Sequence, residues 1–406
     1  MKQHRVVITA MGCLMPNGNS PEEFGDALVA GRSGAGPITT FDASGLPTTI
    51  AAEVKWDGPW TGDRKMTFAV EAARQAWERA TACGSEPRGG GRVSLGVGLE
   101  IFDVAKWAEM KLPDFVLPET LADRLMTLHM PADLSAHKLS HIYGLQAAPR
   151  VMISTCAAGA DAIGAAYHDV AGGRQRWAMA GGTDSEVNPI GITAFSKLCT
   201  LSTQNEEPEK APKPFSRDRD GFVMGEGAGI VILERLEDAR ERGAPILAEV
   251  AGFGSSLDAF GITEPHPEGR GAVQAMERAM ADAGIGPDEV DAINAHATGT
   301  RLNDPVETKA IKTVFGERAG KIPIQATKSM IGHLICAAGA AEAIATIECL
   351  RRNKVHPTLN LHDPDEACDL DYVPLVARDH PTRVAMCNSF GFGGMNASLI
   401  FRKVED

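Results

Sequence analysis

The stretch Val151-Met-Ile-Ser-Thr-Cys156-Ala-Ala-Gly159, running on through Ala160-Asp-Ala-Ile-Gly-Ala-Ala-Tyr167, decides the fold. Val151 to Ser154 is a short, largely apolar run of the kind that forms a buried strand. The residues after Cys156 are small and alanine-rich, which favours a helix. Cys156 therefore stands where a strand gives way to a helix. Unpaired N–H groups and the positive end of the helix dipole favour a thiolate there, so a lowered thiol pKa is expected. Small neighbours let a substrate carbonyl approach both the sulfur and those N–H groups. A free cysteine is otherwise inert core material, and this junction is what distinguishes Cys156 from that case.

The surrounding chain is that of a globular protein. It has 406 residues, 44% of them hydrophobic and 23% charged, enough for two domains or one large one. Its eight cysteines are scattered without a CxxC pair. The N-terminus Met1-Lys-Gln-His-Arg-Val-Val-Ile has no long apolar core, and no run reaches the roughly 18 apolar residues of a membrane span. A cytoplasmic protein with free thiols and no membrane partner is expected. The net charge of −13 argues against nucleic acid as a partner.

Taken in order, Arg5 to Ala10 reads as a strand ending at Met11-Gly12, and Pro21 to Ala30 as a helix capped by Ser20. Lys65 to Ala82 is an amphipathic helix, and Val93 to Val97 a strand. Residues 100 to 142 hold two or three helical pieces. Trp177 to Ala180 is a strand, and a polar loop runs from Ser202 to Arg219. Gly225-Glu-Gly-Ala-Gly229 precedes the strand Ile230 to Glu234. That order is backwards for a phosphate cradle, so a tight turn is expected there.

The second half repeats the first. Ala69-Val-Glu-Ala-Ala-Arg-Gln-Ala-Trp-Glu-Arg-Ala80 is echoed by Ala272-Val-Gln-Ala-Met-Glu-Arg-Ala-Met-Ala-Asp-Ala283, and Cys156-Ala-Ala-Gly-Ala160 by Cys336-Ala-Ala-Gly-Ala340. The extra length of one half falls within 100 to 142. An α/β fold of two similar halves about a pseudo-two-fold axis is expected, residues 1–243 and 244–406. Gly332-His-Leu-Ile335 reads as part of the second alanine helix, which puts Cys336 inside helix packing. Cys336 is therefore assigned to structure and Cys156 to chemistry.

Three further constellations stand out: Asn294-Ala-His296-Ala-Thr-Gly-Thr300 with Asp304 and Glu307 after it, Lys328-Ser-Met-Ile-Gly-His333, and Asn388-Ser-Phe-Gly-Phe-Gly-Gly-Met-Asn396. His137 and His141 have the spacing of helical metal ligands but no acidic partner in the pattern, and no metal site is expected.

Together with Ser154-Thr-Cys156-Ala-Ala-Gly and Pro214-Phe-Ser-Arg-Asp-Arg-Asp-Gly-Phe-Val-Met-Gly-Glu226, these motifs resemble the β-ketoacyl-acyl-carrier-protein synthases of the elongating type, over essentially the whole chain. The resemblance implies a thiolase-like fold with two pseudo-duplicated α/β halves in five layers. It implies an acyltransferase of fatty-acid or polyketide synthesis, with no permanently bound cofactor. Its substrates ride on the phosphopantetheine arm of acyl carrier protein (ACP), and it is a homodimer or a heterodimer with a ketosynthase-like subunit. Cys156 would take the acyl group as a thioester. Malonyl-ACP would then lose CO₂, and its carbanion would attack that thioester. His296 and His333 would stabilise the charge that decarboxylation builds, and the N–H groups of Cys156 and Phe392 the other oxyanion. Lys328 would pair with Glu307 and keep the histidines oriented, Asp304 lying nearby. Thr298 and Thr300 match pantetheine-binding positions; Ile101, Phe195, Phe390 and Phe392 match the acyl pocket; Arg64 and Lys65 match an ACP-docking site. Ala297 stands where a glycine is common, Met395 where threonine is, and Cys199 where some relatives carry an arginine.

Two rival readings share the fold. A CoA-dependent thiolase would use a second cysteine near the C-terminus, for which Cys387 is available. A chain-length-factor subunit would lack the nucleophile that this chain has, although a ketosynthase working with such a partner remains open.

Overall fold

Among the described residues, each half of the chain supplies five strands to the main sheet, and the two sets pair in the same order. The computed structural model describes residues 4–60, 63–98 and 132–404. The first half gives β1 (Val6–Leu14), β2 (Gly91–Val97), β3 (Arg150–Met152), β4 (Trp177–Ser185) and β5 (Glu226–Arg235). The second gives β6 (Ala248–Leu257), β7 (Ala292–Asn294), β8 (Ile324–Gln325), β9 (Val384–Gly391) and β10 (Met395–Arg402). They form one 10-stranded sheet in the order β8-β7-β9-β10-β6-β1-β5-β4-β2-β3. Outward from the centre, β1-β5-β4-β2-β3 matches β6-β10-β9-β7-β8. The pairing senses match too: antiparallel, antiparallel, parallel, parallel on each side. The halves meet where Val6 pairs with Val250 and Ile8 with Ala248.

Helices complete five layers. On one outer face α2 (Arg64–Thr81) and α3 (Leu134–Ile142) cover the first half-sheet. On the other, α6 (Arg270–Ala283) and α7 (Asn303–Phe315) cover the second. Between the half-sheets lie α4 (Ala158–Ala171) and α8 (Ala338–Arg352), most of whose residues are buried in the largest core. Two further helices, α1 (Pro21–Val29) and α5 (Pro189–Lys197), flank this framework. Ser20 caps α1 as expected, its side chain accepting from Glu23 N–H.

The exact echo Cys-Ala-Ala-Gly-Ala has a packing reason. A Cβ on Gly159 would stand 2.7 Å from Ala340 N, and one on Gly339 2.6 Å from Ala160 N. Each copy's glycine lies against the other copy's backbone, so α4 and α8 cross at their first turns.

Several strands outrun the expectation because glycine inside them serves close approach and not a turn. β1 continues through Gly12 to Leu14, since a Cβ at Gly12 would meet Ala72 O of α2 at 2.0 Å. A register shift between Ile8 and Ala10 keeps Val6, Ile8, Met11 and Cys13 all on the central core. β4 runs on through Gly181-Gly182, and Gly227 and Gly229 belong to β5 instead of forming a turn. Of the region 100 to 142, only the helix α3 falls within the described residues.

Candidate active site

Cys156 sits in a one-turn 3-10 segment, Thr155–Ala157, between β3 and α4. Thr155 holds φ 49, a left-handed conformation uncommon for a β-branched residue. Its hydroxyl donates to Phe392 O at 2.9 Å, which fixes the Phe392–Gly394 turn against the nucleophile. Gly391 makes this possible: a Cβ there would stand 2.3 Å from Thr155 Oγ1 and 3.1 Å from Cys156 N. The backbone N–H groups of Phe392 and Cys156 favour the thiolate form of Cys156. The expected low thiol pKa is corrected. Burial pushes the thiol up to about 11, against the opposing pull of Lys328 and those two N–H groups.

The two histidines face this sulfur. Cys156 Sγ and one ring nitrogen from each of His296 and His333 lie within 4.8 Å of one another, all buried. His333 Nδ1 accepts from Ile335 N–H at 3.2 Å, and His296 Nδ1 stands 3.2 Å from the donor Lys328 Nζ. In a neutral ring with Nδ1 accepting, the proton sits on Nε2. Burial and Lys328 hold both imidazoles well below the usual histidine pKa. Both rings therefore offer an N–H donor. Their centroids are 5.3 Å apart and their planes cross at 84°. The close approach of three such groups is also that of a metal site, but the Lys328 amine beside His296 opposes a cation.

Lys328 does not pair with Glu307. Its Nζ donates to Glu342 Oε1 and, at 2.7 Å, to His296 O. Glu307, on α7, instead accepts the N–H groups of His296 and Ala297, both at 2.8 Å. The expectation fails because Glu307 is engaged by the backbone end of β7, while Glu342 of α8 reaches Lys328 from the central layer. Burial pushes the carboxyls of Glu307 and Glu342 up to about 7, Lys328 opposing. Asp304 fastens the neighbouring loop by accepting Phe215 N–H at 2.7 Å and Gly299 N–H at 3.1 Å. Ala297 has φ 41, which accounts for glycine being common at its position.

A cavity of about 430 Å³ opens onto these groups. Thr298 and Thr300 line it with hydroxyls 3.0 Å apart, as do Phe195, Phe390 and Phe392. Phe222, which the sequence reading missed, bridges Phe195 and His333 with ring centroids 5.8 and 5.0 Å away. Ile101 lies outside the described residues. Glu342 was also missed; its signal is an acid set among the alanines of the first turns of α8.

Two expectations meet a different arrangement. Arg64 forms a bidentate pair with buried Glu226, and Lys65 is 4% exposed with Nζ donating to Gly98 O at 2.8 Å. The first turn of α2 thus engages its basic residues with Glu226, Asp184 and Glu186. Cys336 lies not within α8 but in a 3-10 turn, Ile335–Ala337, that repeats the Cys156 turn, with Ile335 at φ 46. Its surroundings differ. Its N–H donates to Asp184 Oδ2 at 2.9 Å, and burial beside Asp184 and Glu186 holds its thiol far above the usual range.

Comparison with known proteins fits this geometry. Residues 3–239 match the beta-ketoacyl synthase N-terminal domain and residues 247–362 the beta-ketoacyl synthase C-terminal domain. The chain belongs to the β-ketoacyl synthase family. This synthase is 41% identical to 3-oxoacyl-[acyl-carrier-protein] synthase 2 of Coxiella burnetii over 100% of both chains. It is 40% identical to the protein of the same name from Synechocystis, over 100% of this chain and 99% of that one. Among solved structures, a type II polyketide ketosynthase in complex with its acyl-carrier protein superposes with TM-score 0.90 at 32% identity, covering 99% of this chain and 100% of that one. The ishigamide ketosynthase/chain length factor gives 0.89 at 32%, with the same coverage. The chain is thus a condensing enzyme, an acyltransferase of chain elongation with a thiolase-like fold.

Proposed function

We propose that the synthase joins an acyl group held on Cys156 to the carbanion left when malonyl-ACP loses CO₂, giving a β-ketoacyl-ACP. The observation that carries this reading is the convergence of Cys156 Sγ with two neutral imidazoles in one buried site. In the first step the acyl carbonyl passes from the pantetheine sulfur to Cys156. The thiol proton leaves with the pantetheine thiol, so no net base is consumed. The N–H groups of Cys156 and Phe392 hold the oxyanion of that step. In the second step the Nε2–H groups of His296 and His333 stabilise the enolate oxygen as CO₂ departs; the enolate carbon attacks the thioester and expels the Cys156 thiolate, which takes a proton from water to restore the thiol. Lys328 positions His296, Glu342 holds Lys328, and Glu307 and Asp304 hold the loop.

ACP is the carrier, and no cofactor takes part. The free state of all eight cysteines supports a reducing, cytoplasmic setting, and among the described residues no helix is long and apolar enough to cross a membrane. The outer strand β3 and Ile153 beyond it, 52% exposed, support a dimer built on that edge. A ketosynthase paired with a chain-length factor is a second reading, favoured by the likeness to the ishigamide pair. The thiolase reading has less support, because Cys387 is fully buried in β9 and is not among the residues lining the cavity.

The test is mass spectrometry after incubation with acyl-ACP, with and without malonyl-ACP. Cys156→Ala abolishes acylation and condensation, and Cys336→Ala retains both. Replacing His296 or His333 by Ala slows CO₂ release about 10²–10³-fold while Cys156 is still acylated. Condensation by Cys156→Ala would overturn the mechanism.

A further inference from the structure

Of the basic residues expected to receive the carrier, Arg64 is paired with Glu226 and Lys65 is buried, so the charge that meets the incoming arm is sought at the cavity itself. Among the described residues lining the cavity, Arg301 is the single lysine or arginine. It is exposed, and its guanidinium has no hydrogen-bond or ion-pair partner among the described residues. Neighbouring cations are already engaged. Arg219 donates to Thr300 O at 3.0 Å and to Asp365 at 2.7 Å, and Lys213 pairs with Asp218 at 2.8 Å. Acids of the same lining are engaged as well. Asp220 accepts Thr203 N–H at 2.9 Å, and Asp258 accepts His266 N–H at 2.9 Å. Glu264 remains exposed on the lining, one carboxylate facing a chain that is already anionic.

Arg301 directly follows Thr300, whose hydroxyl and that of Thr298 line the passage toward Cys156. The pantetheine arm is neutral from its thiol to its far hydroxyl and ends in a phosphate. From this arrangement we infer that Arg301 binds the phosphate of the arm and so selects phosphopantetheine over pantetheine. The inference rests on the reading of the cavity as the channel for that arm. An exposed guanidinium offers a planar pair of donors that matches phosphate oxygens, and it makes its contact without first breaking an ion pair. The arm is thereby anchored at its charged end, with its thioester directed inward.

The experiment measures equilibrium binding of phosphopantetheine and of pantetheine, two probes that differ by the phosphate alone, to the full chain by calorimetry at low salt. The wild type is expected to bind phosphopantetheine about five- to tenfold more tightly, the difference shrinking as salt is raised. Arg301→Ala should remove that preference and leave pantetheine binding unchanged, with Arg301→Lys in between. A wild type that does not distinguish the probes overturns the inference. So does an Arg301→Ala that still distinguishes them, or one that weakens both equally. Release of CO₂ from malonyl-ACP by the wild type is measured alongside. If it fails, the reading of the reaction falls, whatever the two probes show.

Discussion

A cysteine's chemistry is set by what surrounds it, and Cys156 and Cys336 make the case within one chain. Both open an alanine helix from a strained 3-10 turn. One faces two imidazoles and a lysine, the other two carboxylates. The ground for separating them in the sequence, a place inside a helix for Cys336, does not hold. Nothing local distinguishes the turns; the difference comes from Asp184 and Glu186, more than a hundred residues away in sequence. Gly391 offers a sharp test at this scale. Gly391→Ala puts a methyl 2.3 Å from Thr155 Oγ1, so the hydroxyl must release Phe392 O. Acylation of Cys156, followed by mass spectrometry over time, should slow by more than about tenfold, because small displacements of a reacting group are costly. An unchanged rate would mean that the Phe392 turn is not held through Thr155.

At the scale of elements, the site hangs on one buried amide. Asn294, the last residue of β7, donates to Glu342 O at 3.2 Å and Thr346 Oγ1 at 3.1 Å on α8. It accepts from Thr327, the residue before Lys328, at 3.0 Å. It thus ties together the segments that carry His296, Lys328 and Glu342. Asn294→Ala should cost about 1–3 kcal/mol in chemical denaturation, the usual penalty for orphaned buried polar groups. CO₂ release should slow more than acylation of Cys156; equal slowing of both would make Asn294 merely structural. None of this was legible in the sequence, where Asn294 is one letter beside a histidine. Helices were legible because their apolar spacing and caps are local: Lys65 to Ala82 was expected and Arg64–Thr81 is found. Strand ends were not, because a glycine that ends a strand and one that admits a helix backbone look alike until the partner is in place. Gly12 and Gly182 are of the second kind.

At the scale of the molecule, the duplication into two α/β halves was legible because the repeat is written twice, whereas the strand order was not. The docking residues were not, since a basic pair at a helix start reads the same whether it faces a carrier or a buried acid. The edge strand β3 carries the dimer reading, and Ile153→Lys should shift sedimentation toward the monomer; an unaltered dimer would move the interface off that edge. The interior also sets a pH response. Burial holds His356 near pKa about 4, below the ordinary value of 6.5. The unfolded chain therefore binds a proton below pH 6.5 that the folded chain refuses, so this residue's contribution is constant above that pH and turns against folding as pH falls toward 4. Against His356→Gln, the wild type should lose about 1.4 kcal/mol between pH 7.5 and 5.5. A pH-independent difference in unfolding free energy between the two would show that His356 titrates normally.

The left-handed residues ahead of the two cysteines, Thr155 at φ 49 and Ile335 at φ 46, allow a separation that single active sites do not. Strain at a nucleophile is commonly credited to catalysis, at about 1–3 kcal/mol per residue. Here the half without the nucleophile bears the same distortion. The twist therefore accompanies the repeated turn whether or not its cysteine faces the imidazoles, and the second copy serves as an internal control for the first. What Cys156 shares with Cys336 belongs to the architecture. What it alone possesses, the imidazoles and the lysine, belongs to the chemistry.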